Sequence, residues 1–310
     1  MKNLNKKTFA YTELLIVLFI WGFAPLLTLY LNRFYSPTVK VCFGELISIA
    51  TFLIISGKHI KEFNWNYIKV GVATGFFLSL ANITQKIGLL YTTPARYSFL
   101  ENLSCITVPL LMYILIKKKP TFTTISGAVV CLISAFVLNG ISFSGSSWGV
   151  GEILCAASGL LYGFNIAGTA VFAKKLNITL YLAVQSVTGF IMALILSVVL
   201  NSITLPSTGM PLEKAVFSFN PVHMLMVALV VIIGSALCWI MRTDAIKHID
   251  ACIVAVITPF SAVITGVLSV LVGTDTLNLN LVLGSILGLV AIFLSSFEDI
   301  FKKKTKGAVS

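Results

Sequence analysis

Ten stretches of this chain are each apolar enough and close to long enough to cross a lipid bilayer, and that repetition constrains the fold more than any motif does. A spanning helix needs about 20 mostly apolar residues, because the hydrocarbon core is about 30 Å thick and an α-helix rises about 1.5 Å per residue. The stretches are Tyr11–Leu31, Pro37–Ser56, Tyr67–Leu90, Tyr97–Ile116, Thr123–Leu138, Gly149–Ala173, Leu180–Leu200, Val222–Met241, Ala251–Val272 and Leu279–Phe297. Each is continuously apolar, whereas barrel strands alternate and run only about 9–11 residues. With 57% hydrophobic and 11% charged residues, a water-soluble fold of 310 residues has too little polar surface to cover its hydrocarbon. The chain reads as an all-α membrane protein that needs lipid as its solvent.

Charge sets its orientation. Cytoplasmic segments of membrane proteins collect Lys and Arg. With the amino terminus inside, the inner segments hold Lys2, Lys6 and Lys7, then Lys58, Lys61 and Lys69, then Lys117, Lys118 and Lys119. Lys174 and Lys175, Arg242 and Lys247, and the tail Lys302, Lys303, Lys304 and Lys306 follow on the same side. Of the 22 basic residues, only Arg33, Lys40, Lys86, Arg96 and Lys214 are left for the outer side and the helices. Both termini are therefore expected in the cytoplasm of a cell that carries this chain in its plasma (inner) membrane, which requires an even number of spans. The net charge of +11 becomes a topology signal, and no nucleic-acid partner is needed to explain it. The first stretch is too long for the apolar region of a signal peptide and has no small-x-small cleavage site, so it is expected to remain as a span. The six cysteines all fall inside predicted helices, without a CxxC pair and without a His at ligand spacing. They read as small buried residues rather than disulfides or metal ligands, and no cofactor is implied.

The two halves of the chain echo one another. Trp21-Gly22-Phe23 in helix one is matched by Tyr162-Gly163-Phe164 in helix six. Val108-Pro109-Leu110 in helix four pairs with Thr258-Pro259-Phe260 in helix nine, and Ser126-Gly127-Ala128 in helix five with Leu283-Gly284-Ser285 in helix ten. Five helices separate the members of each pair, and an odd number puts the two halves in opposite orientations across the membrane. The expected architecture is ten transmembrane helices in two inverted five-helix repeats, residues 1–140 and residues 141–310 with their basic tail. Inverted repeats suit alternating access to a midplane site, the arrangement of many secondary transporters.

Further residues carry a family resemblance. Tyr91-Thr92-Thr93-Pro94-Ala95-Arg96-Tyr97-Ser98-Phe99-Leu100, followed by Val108-Pro109-Leu110-Leu111, resembles the helix three–four junction of the drug/metabolite transporter superfamily. Trp21-Gly22, Gln85 with Gly88-Leu89, and Gly127 resemble its EamA-type branch. The resemblance covers nearly the whole chain and implies two EamA-like halves around a central cavity. It also implies transport of amino acids, other metabolites, nucleotide sugars or phosphorylated sugars, often outward. Family members often carry an acidic residue after helices four and nine, where this chain has Lys117-Lys118-Lys119 and Gly273-Thr274-Asp275. Glu101 also stands where small or hydroxyl residues are common.

Charged groups at membrane depth are costly, by about 2.5–3.5 kcal/mol on insertion scales, so each is a functional candidate. Glu45 is near the middle of helix two, Lys86 near the outer end of helix three and Glu101 at a similar depth on helix four. An antiparallel helix three–four hairpin predicts an ion pair or a water-bridged contact between Lys86 and Glu101, lining the cavity. Glu45 or Glu101 would be the titrating group of a proton-coupled cycle. Asn82 and Gln85 share a helix face, and Asn102 and Asn165 complete the uncharged polar set. Trp21, Tyr162 and Trp239 read either as aromatic walls of a cavity, suited to flat rings or organic cations, or as plain helix packing. Trp65 and Trp148, at span ends, read as interfacial anchors. Glu152 and Glu13 are expected to reach interfacial water, and Arg242 with Asp244 to form an interfacial charge pair. Gly71/Gly75, Gly159/Gly163 and Gly284/Gly288 are GxxxG spacings, read as packing at repeat seams or at a homodimer seam.

Enzymatic readings lack their chemistry. There is no HExxH, the three histidines (His59, His223, His248) fall at span ends or in loops, and Gly149-Val150-Gly151 is followed by Glu152 rather than by one of a pair of mid-membrane aspartates. A channel would need a filter-like repeat or a ring of acids, and a scaffold would not need Glu45, Lys86 and Glu101 in hydrocarbon. No GxxxxGK[ST] motif occurs, so the chain has no nucleotide-binding loop of that kind. The sequence thus points to a secondary transporter of a small polar metabolite, such as an amino acid or amine, driven by protons or by exchange.

Overall fold

The computed structural model describes residues 2–117, 119–138, 149–202, 216–258 and 260–307. Trp148, Lys118 and Pro259 lie outside the described residues, as does the side chain of Asn102. Among the described residues the chain is helical without strands: α1 (Lys2–Leu31), α2 (Pro37–Ser56), α3 (Trp65–Gly88), α4 (Pro94–Leu100), a 3-10 turn (Glu101–Leu103), α5 (Ser104–Ile116), α6 (Phe122–Leu138), α7 (Val150–Phe172) and α8 (Ile178–Ser202). There follow α9 (Pro221–Val231), a π-helical turn (Ile232–Leu237), α10 (Cys238–His248), α11 (Ala251–Ile257), α12 (Phe260–Leu271) and α13 (Leu279–Gly307).

Among the described residues, eight segments are long and apolar enough to span a bilayer, and two shorter apolar helices, Phe122–Ser134 and Leu279–Ala291, fall where the fifth and tenth stretches were expected. Large apolar side chains such as Ile54, Val198, Leu225 and Phe293 face outward, exposed, as lipid-facing residues do. The chain is a multi-pass integral membrane protein. All six cysteines are free thiols.

Local chemistry places the helix starts. Asn64, Thr93, Asn220 and Asp250 each accept a hydrogen bond from a backbone N–H of the first turn, and Pro94 and Pro221 stand at first helical positions. These caps fix the register between halves. α2 and α8 begin 141 residues apart (Pro37, Ile178), the same offset as Trp21 and Tyr162. Thr93 and Asp250 cap equivalent helices at an offset of 157, and the breaks at Glu101 and Thr258 keep that offset. The structural equivalents in helices four and nine are therefore Glu101 and Thr258, not Pro109 and Pro259. Prolines bend helices wherever they fall, whereas a cap fixes where the helix begins.

One further irregularity concerns the site directly. Asn64 and Asn220 are 156 residues apart, one fewer than the pairs that follow. The extra residue of the second half is taken up in the π-turn Ile232–Leu237, which closes hydrogen bonds over five residues instead of four.

The packing respects the same correspondence. α3 packs on α7, and α1 on α10; the 3-10 turn and α5 pack on α7, and α1 on α12; α2 pairs with α8, and α6 with α13. Each contact is either between equivalent helices or has a counterpart in the other half. The GxxxG glycines serve these seams within the chain: a Cβ on Gly71 would lie 2.6 Å from Val184 Cγ1, and one on Gly159 would lie 2.5 Å from the Leu100 carbonyl oxygen.

Candidate functional site

The seams enclose a cavity of about 150 Å³ near the middle of the bundle. That is the size of an engineered protein cavity that holds benzene, so it has room for a small metabolite. Its lining comes from α1 (Trp21, Ala24, Pro25, Thr28), α2 (Lys40, Gly44, Glu45, Ser48), α3 (Asn82, Gln85, Lys86) and the α4–α5 junction (Tyr97, Glu101, Ser104). α7 adds Tyr162 and Ile166, and the second half adds Val230, Gly234, Ser235, Trp239, Arg242 and Thr258. Eight of the residues singled out from sequence thus meet in one place: Trp21, Glu45, Asn82, Gln85, Lys86, Glu101, Tyr162 and Trp239. Several stand at equivalent positions of the two halves, Asn82 with Trp239, Glu101 with Thr258 and Trp21 with Tyr162.

A chain of polar contacts crosses the cavity floor. The Tyr162 hydroxyl lies 2.6 Å from Gln85 Oε1 and 3.0 Å from Asn82 Oδ1, and Gln85 Nε2 donates to Glu101 Oε2. Glu101 projects from the 3-10 turn, where Gly159 of α7 lets the backbone carbonyls of Leu100 and Glu101 approach. The expected Lys86–Glu101 ion pair does not form. One residue along a helix turns the side chain by about 100°, so Gln85 faces α4 while Lys86 faces α2. There the charge opposite Lys86 is Glu45, which sits against Ser186 and Gly189.

The opposite wall is aromatic and cationic. The Trp21 and Trp239 rings are 5.3 Å apart, and Tyr162 stacks on Trp239 at 6.3 Å. Trp21 Nε1 donates to the Gly234 carbonyl at 2.9 Å, an acceptor inside the π-turn. The Arg242 guanidinium lies 4.7 Å over Trp239 and 5.7 Å over Trp21, and the residue is 3% exposed. This corrects the interfacial pairing of Arg242 with Asp244: residues two apart on a helix point to different sides. Asp244 instead approaches His248 at 3.6 Å and lies beside Glu13, which is buried rather than extended to water. Glu152 is buried as well. It accepts from Thr92 Oγ1 at 2.7 Å and the Gly149 N–H at 2.9 Å, and Arg96 lies 3.5 Å away, so it ties the α3–α4 loop to the start of α7.

Asn165 is absent from the cavity lining. Its Nδ2 donates to the Thr74 carbonyl at 3.2 Å, within a second polar cluster where α3, α7 and α8 join. In that cluster the Tyr181 hydroxyl is 2.7 Å from Thr74 Oγ1 and 2.9 Å from Thr169 Oγ1, and Gln185 Nε2 donates to both Tyr181 and Thr74 at 2.8 Å. All four residues are buried, and no residue of α8 is among those lining the cavity. Their equivalents in the other half behave differently. Val230, Thr28, Lys40 and Gly44, the counterparts of Thr74, Thr169, Tyr181 and Gln185, all line the cavity. There Lys40 Nζ donates to the Thr28 carbonyl at 3.2 Å and to Asn32 Oδ1. A buried polar lock thus joins α3, α7 and α8 outside the cavity, while the corresponding residues of the other half line the cavity.

A multi-pass helical protein with a small mixed-charge cavity has the build of a membrane transporter. The comparisons agree. The sequence pattern of the EamA-like transporter family matches residues 8–140 and again residues 149–297, and the chain belongs to that family. An uncharacterized transporter of Archaeoglobus fulgidus is 25% identical over 190 residues, which are 61% of this chain and 58% of that relative's length. A solved crystal structure superposes with a TM-score of 0.71 over 93% of this chain and 96% of that one; at 14% identity the likeness is one of fold alone.

Proposed function

We propose that the chain is a secondary transporter that carries a small polar metabolite across the cytoplasmic membrane by alternating access. The observation that carries this reading is the paired fate of equivalent residues, one of each pair buried in a lock and the other lining the cavity. Two halves of opposite orientation would exchange these environments when the bundle rocks. In this reading α6 and α13 complete ten spans, both termini are cytoplasmic, and the lock of α3, α7 and α8 faces the cytoplasm. The outward path from the cavity then runs past Thr28, Lys40 and Val230. Outward movement of substrate follows the family resemblance, and protons or exchange drive it, with Glu45 or Glu101 as the coupling group. Asn82, Gln85 and Tyr162 position the solute, and Trp21 and Trp239 flank it. The test is flux of labelled L-amino acids and their decarboxylated amines into liposomes holding the purified chain. Saturable uptake that accelerates when the lumen is preloaded with the same unlabelled solute is expected. Uptake that rises linearly with concentration, or none across the panel, contradicts the carrier reading.

A further inference from the structure

The cavity holds a cation whose hydrogen-bonding edge is unused. The Arg242 guanidinium carbon lies over the Trp239 and Trp21 rings, but its Nε is buried without a hydrogen-bond partner. Among the described residues no carboxylate lies within ion-pair distance of it; the acid in electrostatic reach is Glu101, whose Oε2 is taken by Gln85. Ring stacking contributes about 2 kcal/mol to a desolvated cation. Leaving a buried charge unpaired costs more than that. The rings hold the guanidinium in place without offering its N–H groups a hydrogen-bond acceptor, and a guanidinium N–H fork binds a carboxylate with two parallel bonds.

We propose that Arg242 binds the carboxylate of the transported solute while Glu101 faces its ammonium group, so that the site selects α-amino acids over amines without a carboxylate. The inference rests on the transport reading above and narrows it. A zwitterion answers both signs of charge within one small cavity. A phosphate dianion would meet Glu45 and Glu101 in the same space, and Lys86 already faces Glu45.

The test uses the full-length chain in liposomes and counterflow of each labelled L-amino acid. For every amino acid that exchanges, its decarboxylated amine and its methyl ester are added as competitors. The amine and the ester are expected to compete at least about tenfold more weakly than the parent, which is the value of one charge-assisted hydrogen bond. Arg242→Gln is expected to erase that difference and Arg242→Lys to keep part of it. Amines or esters that compete as well as the parent in the unsubstituted protein overturn the role of Arg242 while leaving the carrier intact. So does Arg242→Gln that exchanges amino acids with undiminished preference. If Arg242→Gln does not fold, the competition series in the unsubstituted protein and in Arg242→Lys decides the matter alone. Absence of counterflow for every amino acid and every amine removes the transport reading itself, and this inference with it.

Discussion

Tyr181→Phe strikes the polar lock at its centre. The hydroxyl touches Thr74 at 2.7 Å, Gln185 at 2.8 Å and Thr169 at 2.9 Å, and the phenyl ring of the variant keeps the packing. A buried hydrogen bond contributes about 0.5–1.5 kcal/mol net. Three bonds sharing one oxygen do not add fully, so the network should lose about 2–3 kcal/mol. If the lock exists only in the state described, the balance between the two states shifts by that energy, roughly 30- to 150-fold. Leu78, 7% exposed, packed with Ala81 and Tyr162 and one turn beyond Thr74 on α3, is the reporter position. In a chain whose half-buried Cys42 is replaced by alanine, the thiol of Leu78→Cys should react with a membrane-impermeant thiosulfonate from the locked side. Tyr181→Phe should raise that rate at least about tenfold. A lowered melting temperature with an unchanged labelling rate refutes the reasoning, because bonds that hold both states equally shift no population.

Other expectations follow from single contacts. Gly159→Ala places a Cβ 2.5 Å from the Leu100 carbonyl and should cost about 1–3 kcal/mol, read as a lower melting temperature in detergent; an unchanged value contradicts the close approach. Glu45→Gln keeps the shape packed against Gly189 and should leave counterflow intact while abolishing the pH dependence of accumulation. Retained pH dependence in that variant, with its loss in Glu101→Gln, moves coupling to Glu101. A reporter fused after Ser310, and cysteines at Lys117 and Lys119, should all report cytoplasm. A carboxyl terminus found outside contradicts ten spans.

The spans were legible because hydrocarbon thickness imposes a length that apolar runs reveal directly. Much of the cavity was legible for a related reason: Trp21, Tyr162, Asn82, Gln85 and Glu101 lie deep within apolar runs, where polar or large aromatic side chains need partners. Arg242 was hidden by its place near the inner end of its apolar stretch, where a charge reads as interfacial, and only its contacts with the Trp239 and Trp21 rings draw it inward. Two aspects of tertiary structure also escaped pattern reading. Asn165 and Tyr162 share a helix and a polar character, yet only contact with Thr74 draws the first into the lock. Lys40 looked like an outer basic residue, yet it lines the cavity because the Thr28 carbonyl and Asn32 hold its ammonium.

The central claim is that the two ends of the bundle open by turns, and reciprocal labelling tests it most directly. Val230 in the cavity wall is the counterpart of Thr74 in the lock, and Leu78 stands one turn beyond Thr74 on α3. Thiol reaction rates are measured for Val230→Cys and Leu78→Cys, each from its own side of the membrane, with and without Tyr181→Phe. The account predicts that the substitution lowers the rate at Val230→Cys as it raises the rate at Leu78→Cys. Rates that rise together describe a channel, rates that do not move describe a static scaffold, and either result contradicts alternating access.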